Sequence, residues 1–297
     1  MCLNFLQAFW QKLNAQFLFY GGNMKVYQML EKVKNELQSV GISDSAEAEW
    51  LVALALSQKR SFSHSEKELS ETEEQKILNF LEERKTNKPL AYIVGNQEFF
   101  GYSFLVSQDV LIPRPETEEL VLLVKNNISS NEKVLDIGTG SGAIAIVLAK
   151  ETNARVTAVD ISEKALAVAK KNAKTLNAKV DFVRSDLFEN LDGKIFDIIV
   201  SNPPYISEDE FVNLEKNVKD FEPKLALVAD HNGFAIYEKI IEKAKNHLSE
   251  NGKIFFEIGY SQAKEIVKLL EKDFENIQII KDLEGKDRMV MATRKGE

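Results

Sequence analysis

From residue 133 onward, short and almost continuous apolar runs alternate with segments of helical period. The runs lie at 133–137, 155–160, 180–183, 196–201 and 253–257, and helical patterns fill 143–150, 163–176, 236–248 and 262–272. Apolar runs without inside/outside alternation read as strands covered on both faces. Strands separated by helices read as parallel, because each crossover helix packs back on the sheet. Two further strands near 277–280 and 288–293 are joined by only 281–287, too short for a crossover, and so form an antiparallel pair. The expectation is an α/β domain with a Rossmann-like seven-stranded sheet. No internal repeat is visible.

The first half of the chain has a different period. Residues 24–88 carry apolar positions at helical spacing, including Val26, Leu30, Val33 and Leu37, then 46–56, then Ile77, Leu78 and Leu81. Ser43-Asp44 and the acidic run from Ser70 to Glu73 mark helix starts. This predicts a helical-bundle domain over 24–88. Between 90 and 111, apolar residues cluster around Gly95 and Gly101, which reads as a β-hairpin, and Pro113 and Pro115 punctuate the chain before a helix at 116–126. The expected divisions are an extension over 1–23, the helical domain over 24–88, a hairpin and linker over 89–115, and the α/β domain over 116–297. The extension is apolar but broken by Gln7, Gln11, Lys12, Asn14 and Gln16, so it reads as neither membrane anchor nor signal and is expected to be dispensable.

With 44% hydrophobic and 28% charged residues, the chain has the balance of a globular protein. Lys and Arg number 38 against 46 Asp and Glu, a formal net charge of −8, the wrong sign for holding nucleic acid through its phosphates. The single Cys2 permits no internal disulfide, and His64, His231 and His247 are scattered, so no metal site is expected and a reducing cytoplasm is the expected location.

Two motifs carry chemistry. Asp136-Ile137-Gly138-Thr139-Gly140-Ser141-Gly142 joins a buried strand to a helix start. Glycines at such a turn let the backbone approach a ligand and adopt dihedrals closed to other residues. Asp160 ends the next strand at roughly the 20-residue distance where a dinucleotide fold places a carboxylate on ribose hydroxyls, although a helix N-cap is an equal use for it and Ser162 competes for that role. Asp186 ends the third strand and can face an adenine amino group, with Leu187 and Phe188 as an apolar wall; cap or core is the alternative for these three. The spacing is not the G-x-G-x-x-G of nicotinamide proteins, and Asp136 sits poorly beside a pyrophosphate, so a cationic adenosine cofactor fits better than a dianionic one.

The second motif, Asn202-Pro203-Pro204-Tyr205, follows the fourth strand of this domain, at the sheet edge where α/β proteins bind ligands. Two prolines fix the backbone, so the Pro203 carbonyl and the Asn202 side chain form a rigid pair of acceptors for the two hydrogens of an NH2 group, and Tyr205 can stack on a planar group. This suits an amide or aromatic amine offered to an electrophile.

The 136–142 turn, Asp160 and 202–205 together resemble the class I S-adenosylmethionine-dependent methyltransferases that modify amide or exocyclic amino nitrogens. The upstream segments Pro89 to Gly95, Glu98-Phe99-Phe100-Gly101 and Leu111 to Glu118, with Phe221-Glu222-Pro223 after the clamp, resemble the peptide chain release factor glutamine methyltransferases over about residues 24–297. The resemblance implies S-adenosylmethionine as cofactor and S-adenosylhomocysteine as product. It implies class-I release factors as partners, with the glutamine of their Gly-Gly-Gln motif as methyl acceptor. It implies Asp136, Gly138, Thr139, Gly140, Ser141, Gly142, Asp160, Asp186, Leu187 and Asn202 as the cofactor site. Asn202, Pro203 and Tyr205 become the catalytic clamp, and Pro204 and Phe100 join them around the substrate. Leu187 departs from the aromatic residue often found there, so Phe188 or another side chain completes the adenine wall. Arg114 and Glu116 either position the linker near the cofactor or form a structural ion pair. A monomer acting on no nucleic acid and no membrane is expected. The rivals are a nucleic-acid amino-methyltransferase, opposed by the acidic charge, and a non-catalytic cofactor-binding subunit, opposed by the intact motifs.

Overall fold

The computed structural model describes residues 23–296, which fall into two compact units divided after Val94. The expectation for 1–23 lies outside the described residues except at Asn23.

In the first unit, α1 (Val26–Ser39), α2 (Ser45–Ala55), a 3-10 turn (Arg60–His64), α3 (Glu71–Lys85) and α4 (Leu90–Val94) follow one another. Asp44 caps α2 by accepting from the Ala46 amide at 2.8 Å, and Ser70 forms a capping box with Glu73 at the start of α3. Their shared core holds Met29, Leu30 and Val33 of α1, Leu51 and Val52 of α2, and Ile77 and Leu81 of α3. The residues at 90–94, expected in a hairpin, are instead the short helix α4, and the hairpin begins only at β1 (Asn96–Phe99) and β2 (Tyr102–Leu105). Pro89 opens that helix, with its carbonyl accepting from the Tyr92 and Ile93 amides, a role the apolar clustering of the segment does not disclose.

In the second unit, the hairpin is followed by α5 (Pro115–Asn127), β3 (Lys133–Ile137), α6 (Ala143–Glu151), β4 (Arg155–Asp160), α7 (Glu163–Leu176), β5 (Val180–Arg184) and β6 (Phe196–Ser201). Short helical turns then lead to α8 (Ala235–Ala244), β7 (Leu248–Glu257), α9 (Ala263–Leu270), β8 (Phe274–Lys281) and β9 (Asp287–Arg294). The sheet order is β5-β4-β3-β6-β7-β9-β8, with β5 to β7 parallel and the last two strands antiparallel. The seven-stranded Rossmann-like expectation is thereby met.

The pleat divides each strand between two cores. Leu135, Ile137, Ile199, Ile254, Phe256 and Val290 pack with Ile240 of α8 and Ile266 of α9. Val134, Ile198, Val200, Phe255 and Met289 pack on the other face with Leu120 of α5 and Ile146 of α6. The chain runs outward from β3 to β5 and then returns to the far side of β3 as β6, which leaves a crevice at the carboxyl ends of β3 and β6.

At the tightest point of this framework, Gly142 has φ 83°, and an added Cβ meets Ile146 Cδ1 at 2.9 Å and the Ala169 Cβ at 3.1 Å. Gly142→Ala is therefore expected to cost about 2–4 kcal/mol, from left-handed strain plus overpacking between α6 and α7. Urea titration of the variant reads this as a lower midpoint with an unchanged slope.

Candidate active site

The turn after β3 is built to leave its backbone bare. Gly138 and Gly140 have φ 73° and 55°, and nothing lies within 4 Å of a Cβ at either position. The Gly138 and Thr139 amides both donate to the Val159 carbonyl, at 2.9 and 3.0 Å, and the Gly142 amide donates to the Thr139 carbonyl at 2.8 Å. Ser141 is buried, and its carbonyl accepts from Nδ2 of Asn172 at 2.9 Å. The Asn172 amide also exchanges two hydrogen bonds with the Leu105 backbone, which ties the hairpin to the glycine turn. Asn172 sits inside α7, where nothing in the local pattern distinguishes it from a surface polar residue.

Asp136 is fully buried on the α6 face. Its Oδ2 accepts from the Thr139 hydroxyl at 2.6 Å, while Oδ1 has no well-formed hydrogen bond. Burial, opposed by the Thr139 hydroxyl and the Ala145 amide, pushes its carboxyl up to about 7. Asp160 accepts from the Gly140 amide at 2.9 Å and the Ser162 amide at 2.8 Å, and burial raises it too. The cap of α7 is Ser162, which accepts from the Ala165 amide, so Asp160 is not the helix cap and keeps lone pairs on both oxygens.

Asp186 borders a cleft with Ile161, Ser185 and Asn190, beside Asp160. Leu187 is half-buried at φ 50°. Phe188 is buried in the core, its ring stacked on His247 at 4.6 Å between centroids, so it is not available as an adenine wall. Ile161, 46% exposed in the same cleft, is the apolar side chain that the sequence reading passed over.

Asn202, Pro203 and Tyr205 line a second cleft of about 150 Å³ with Leu111, Arg114 and Glu257. Pro204 is not among its lining residues. Asn202 Nδ2 donates to the Thr117 hydroxyl at 3.1 Å, which leaves Oδ1 as the free end of the amide. The Thr117 hydroxyl donates to Glu257 Oε2 at 2.7 Å. Glu257 is buried, and burial, opposed first by the Thr117 hydroxyl and then by Arg288, pushes its carboxyl up to about 7. Burial raises the Tyr205 phenol to about 12. Gln262 Nε2 holds the Tyr205 carbonyl at 3.0 Å, and a Cβ on Gly233 would lie 2.1 Å from that oxygen. Arg114 pairs with the buried Glu222, whose second oxygen accepts from the Ile112 amide at 3.2 Å, so it does form a structural ion pair, with Glu222 rather than Glu116, while also lining this cleft. Phe100 is not brought to this cleft. It occupies the hairpin turn at φ 52°, its amide donates to Glu118 at 2.7 Å, and the Lys125 ammonium lies 5.7 Å from its ring centroid.

Sequence reasoning missed Thr117, Glu257, Asn172, Gln262 and Gly233. Of these, Glu257 alone carries a local signal, a single carboxylate closing an apolar strand at the ligand-binding edge.

Comparison with known proteins agrees with this geometry. Residues 28–95 match the family model "PrmC N-terminal domain" and residues 117–218 match "Methyltransferase small domain". A release factor glutamine methyltransferase of Streptococcus pneumoniae is 41% identical over 91% of this chain and 98% of its own length. One from Enterococcus faecalis is 42% identical over 77% of this chain and 84% of its own. The chain belongs to the release factor glutamine methyltransferase family. A methyltransferase from Pyrococcus furiosus, 23% identical, has the same fold with a TM-score of 0.53 over 67% of this chain and 91% of its own. The protein is thus a class I methyltransferase, and its cofactor is S-adenosylmethionine.

The turn fits that cofactor. Two bare glycines admit its backbone-side approach, and the unsatisfied oxygen of Asp136 with the nearby Asp160 favours a cation over a phosphate. Among the described residues, no group of three His, Cys, Asp or Glu side chains is placed to hold a metal ion.

The raised carboxyl of Asp136 sets a trade between binding and stability. The folded form holds this proton more tightly than the unfolded chain, so its contribution to stability is present below the unfolded pKa and is lost as pH rises through about 7. Asp136→Asn is expected to raise the melting temperature at pH 8 by at least about 2 °C, with a smaller gain at pH 5 and none below about pH 3, where both states hold the proton. The same variant is expected to weaken S-adenosylmethionine binding about tenfold at pH 8 by calorimetry, because the cation loses its counter-charge.

Proposed function

We propose that this enzyme methylates the N5 side-chain amide nitrogen of the glutamine in the Gly-Gly-Gln motif of class-I peptide chain release factors, and so modulates translation termination. The observation that carries the reading is the orientation of Asn202. With Nδ2 committed to Thr117, Oδ1 is the free acceptor of a residue that lines the cleft beside Pro203.

An amide nitrogen is a poor nucleophile because its lone pair is delocalised into the carbonyl. The clamp compensates by position and charge. Asn202 Oδ1 and the Pro203 carbonyl each accept one hydrogen of the glutamine NH2, which fixes the nitrogen against the methyl donor. Both acceptors draw density toward the nitrogen and stabilise the positive charge it develops. Tyr205 flanks the amide plane. When bound, S-adenosylmethionine would supply a sulfonium methyl as electrophile: the methyl–sulfur bond breaks as the nitrogen–methyl bond forms, S-adenosylhomocysteine leaves, and the charged nitrogen then loses one proton to solvent.

The helical unit preceding Gly95 is the docking domain for the release factor in this reading, since a tripeptide is too short to specify a target. The protein acts as a monomer in the cytoplasm. No helix among the described residues is long and apolar enough to cross a membrane.

Incubating the purified protein with S-adenosylmethionine and a release factor, then reading the Gly-Gly-Gln peptide by mass spectrometry, tests the assignment. One added methyl is expected on the glutamine, absent from a Gln→Ala substrate and reduced at least about a hundredfold by Asn202→Ala. Methyl transfer to RNA or DNA instead would overturn it.

A further inference from the structure

We propose that Thr117 and Glu257 are positioning residues that decide which end of the Asn202 amide faces the substrate. The inference rests on the clamp reading just given and extends it to two side chains that do not hold the glutamine NH2 in that reading, although Glu257 borders the same cleft.

The two ends of a carboxamide are almost identical in shape, so only hydrogen bonds choose between them. With Oδ1 outward, Asn202 accepts from the glutamine NH2. With Nδ2 outward, donor meets donor and the clamp loses half its grip. The choice is made by Thr117 and Glu257 together, because the Asn202 amide also donates to the Glu257 carboxylate. A hydroxyl has a single proton, and Thr117 gives it to Glu257 Oε2 at 2.7 Å, so only a lone pair remains to meet Asn202. That lone pair takes Nδ2 at 3.1 Å. The carboxylate therefore sets the polarity of the whole chain, because an ionised carboxylate can only accept.

The surroundings of Glu257 show that it is not kept as an ordinary ion pair. It is buried, and no cation among the described residues forms an ion pair with it. Arg288, on neighbouring β9, directs Nε to Asp282 at 3.1 Å and a terminal nitrogen toward the Ile258 carbonyl at 3.5 Å. Tyr237 of α8 donates to the backbone carbonyl of Glu257, not to its carboxylate. The remaining ionisable groups around it are Glu116 of α5, Tyr205 after β6 and Arg114 on the cleft wall. Such a carboxylate costs stability and finds its use in accepting from Thr117 and from the Asn202 amide.

Protonation reverses the relay. A neutral Glu257 becomes a donor to the Thr117 oxygen, the hydroxyl proton turns toward Asn202, and the amide turns over to accept it. Burial outweighs Arg288 and places this titration at about 7. The ionised form is the competent one, so turnover rises with pH through that value. Asp136 titrates in the same range, and saturating cofactor separates its effect on affinity from the effect of Glu257 on turnover.

The test measures kcat and KM for the release factor on the full chain at saturating S-adenosylmethionine, from pH 6 to 8.5, with cofactor affinity by calorimetry and melting temperature for each variant. Thr117→Val is expected to lower kcat about tenfold or more while cofactor affinity stays within about twofold. Thr117→Ser restores kcat to within about threefold of the parent. Glu257→Gln removes the rising limb near pH 7, because the amide does not titrate. Parental kcat in Thr117→Val, or a retained limb in Glu257→Gln, overturns the relay. Should Thr117→Val fold poorly, the Ser variant and the Gln pH profile still decide. Asn202→Ala runs alongside: its inactivity with an unaffected Thr117→Val removes the relay alone, whereas its full activity removes the clamp reading beneath it.

Discussion

The parallel pairing of β6 with both β3 and β7 puts Ile137, Ser201 and Phe256 side by side at the carboxyl edge of the sheet. One residue further along each strand come Gly138, Asn202 and Glu257, so a single register assembles the cofactor turn, the clamp and its buried carboxylate. The pleat adds the second constraint. Asp136, Val200 and Phe255 lie on the α5 and α6 face, and the same parity carries on to Asn202 and Glu257, so both meet Thr117 of α5. A one-residue slip of β7 would turn Glu257 toward α8 and leave Thr117 with no acceptor. The Ser201 hydroxyl, buried and donating to the Ile137 carbonyl at 2.7 Å, fastens the two strands where such a slip matters most.

Around that edge, small residues and amides hold the backbone where a packed core alone would leave it free. Asn172 ties the hairpin to the glycine turn, and Gln262 ties the end of the clamp to the loop after β7 by taking the Tyr205 carbonyl on Nε2 and the Gly259 amide on Oε1. Gly233 completes the arrangement. Its φ of 87° and the Tyr205 carbonyl, which would lie 2.1 Å from a Cβ, leave no room for a side chain, so the clamp packs directly against its backbone. These contacts fasten the end of the proline-rich loop to its neighbours.

Much of this was legible from the chain alone because the strongest signals are local. The glycine turn, the Asn202 to Tyr205 clamp and the seven strands each lie within a few consecutive residues, and periodicity or backbone chemistry identifies them. What escaped is non-local. Thr117 and Glu257 are 140 positions apart, and nothing in either segment links them until register and pleat bring them together. Phe188 shows the opposite error: an aromatic beside a cofactor loop reads as a wall, yet stacking on His247 consumes its ring within the core. The helix at 90–94 escaped because five residues are too few to show a helical period, and the glycine after them reads equally as a hairpin turn.

Placing the recognition chemistry in hydrogen-bond polarity rather than in a strong base follows from the nature of the acceptor. An amide nitrogen has no proton worth removing before it attacks, so a base gains little, whereas misplacing its weak lone pair loses the reaction. What the site needs is two acceptors held still and aimed, and an asparagine is the risky half of that pair because it can turn over. The Pro203 carbonyl cannot turn, being fixed by its own ring and by the proline that follows. The amide of Asn202 has no such covalent constraint, and a buried carboxylate acting directly and through one hydroxyl supplies it, at a cost in stability that the apolar cores on both sheet faces offset.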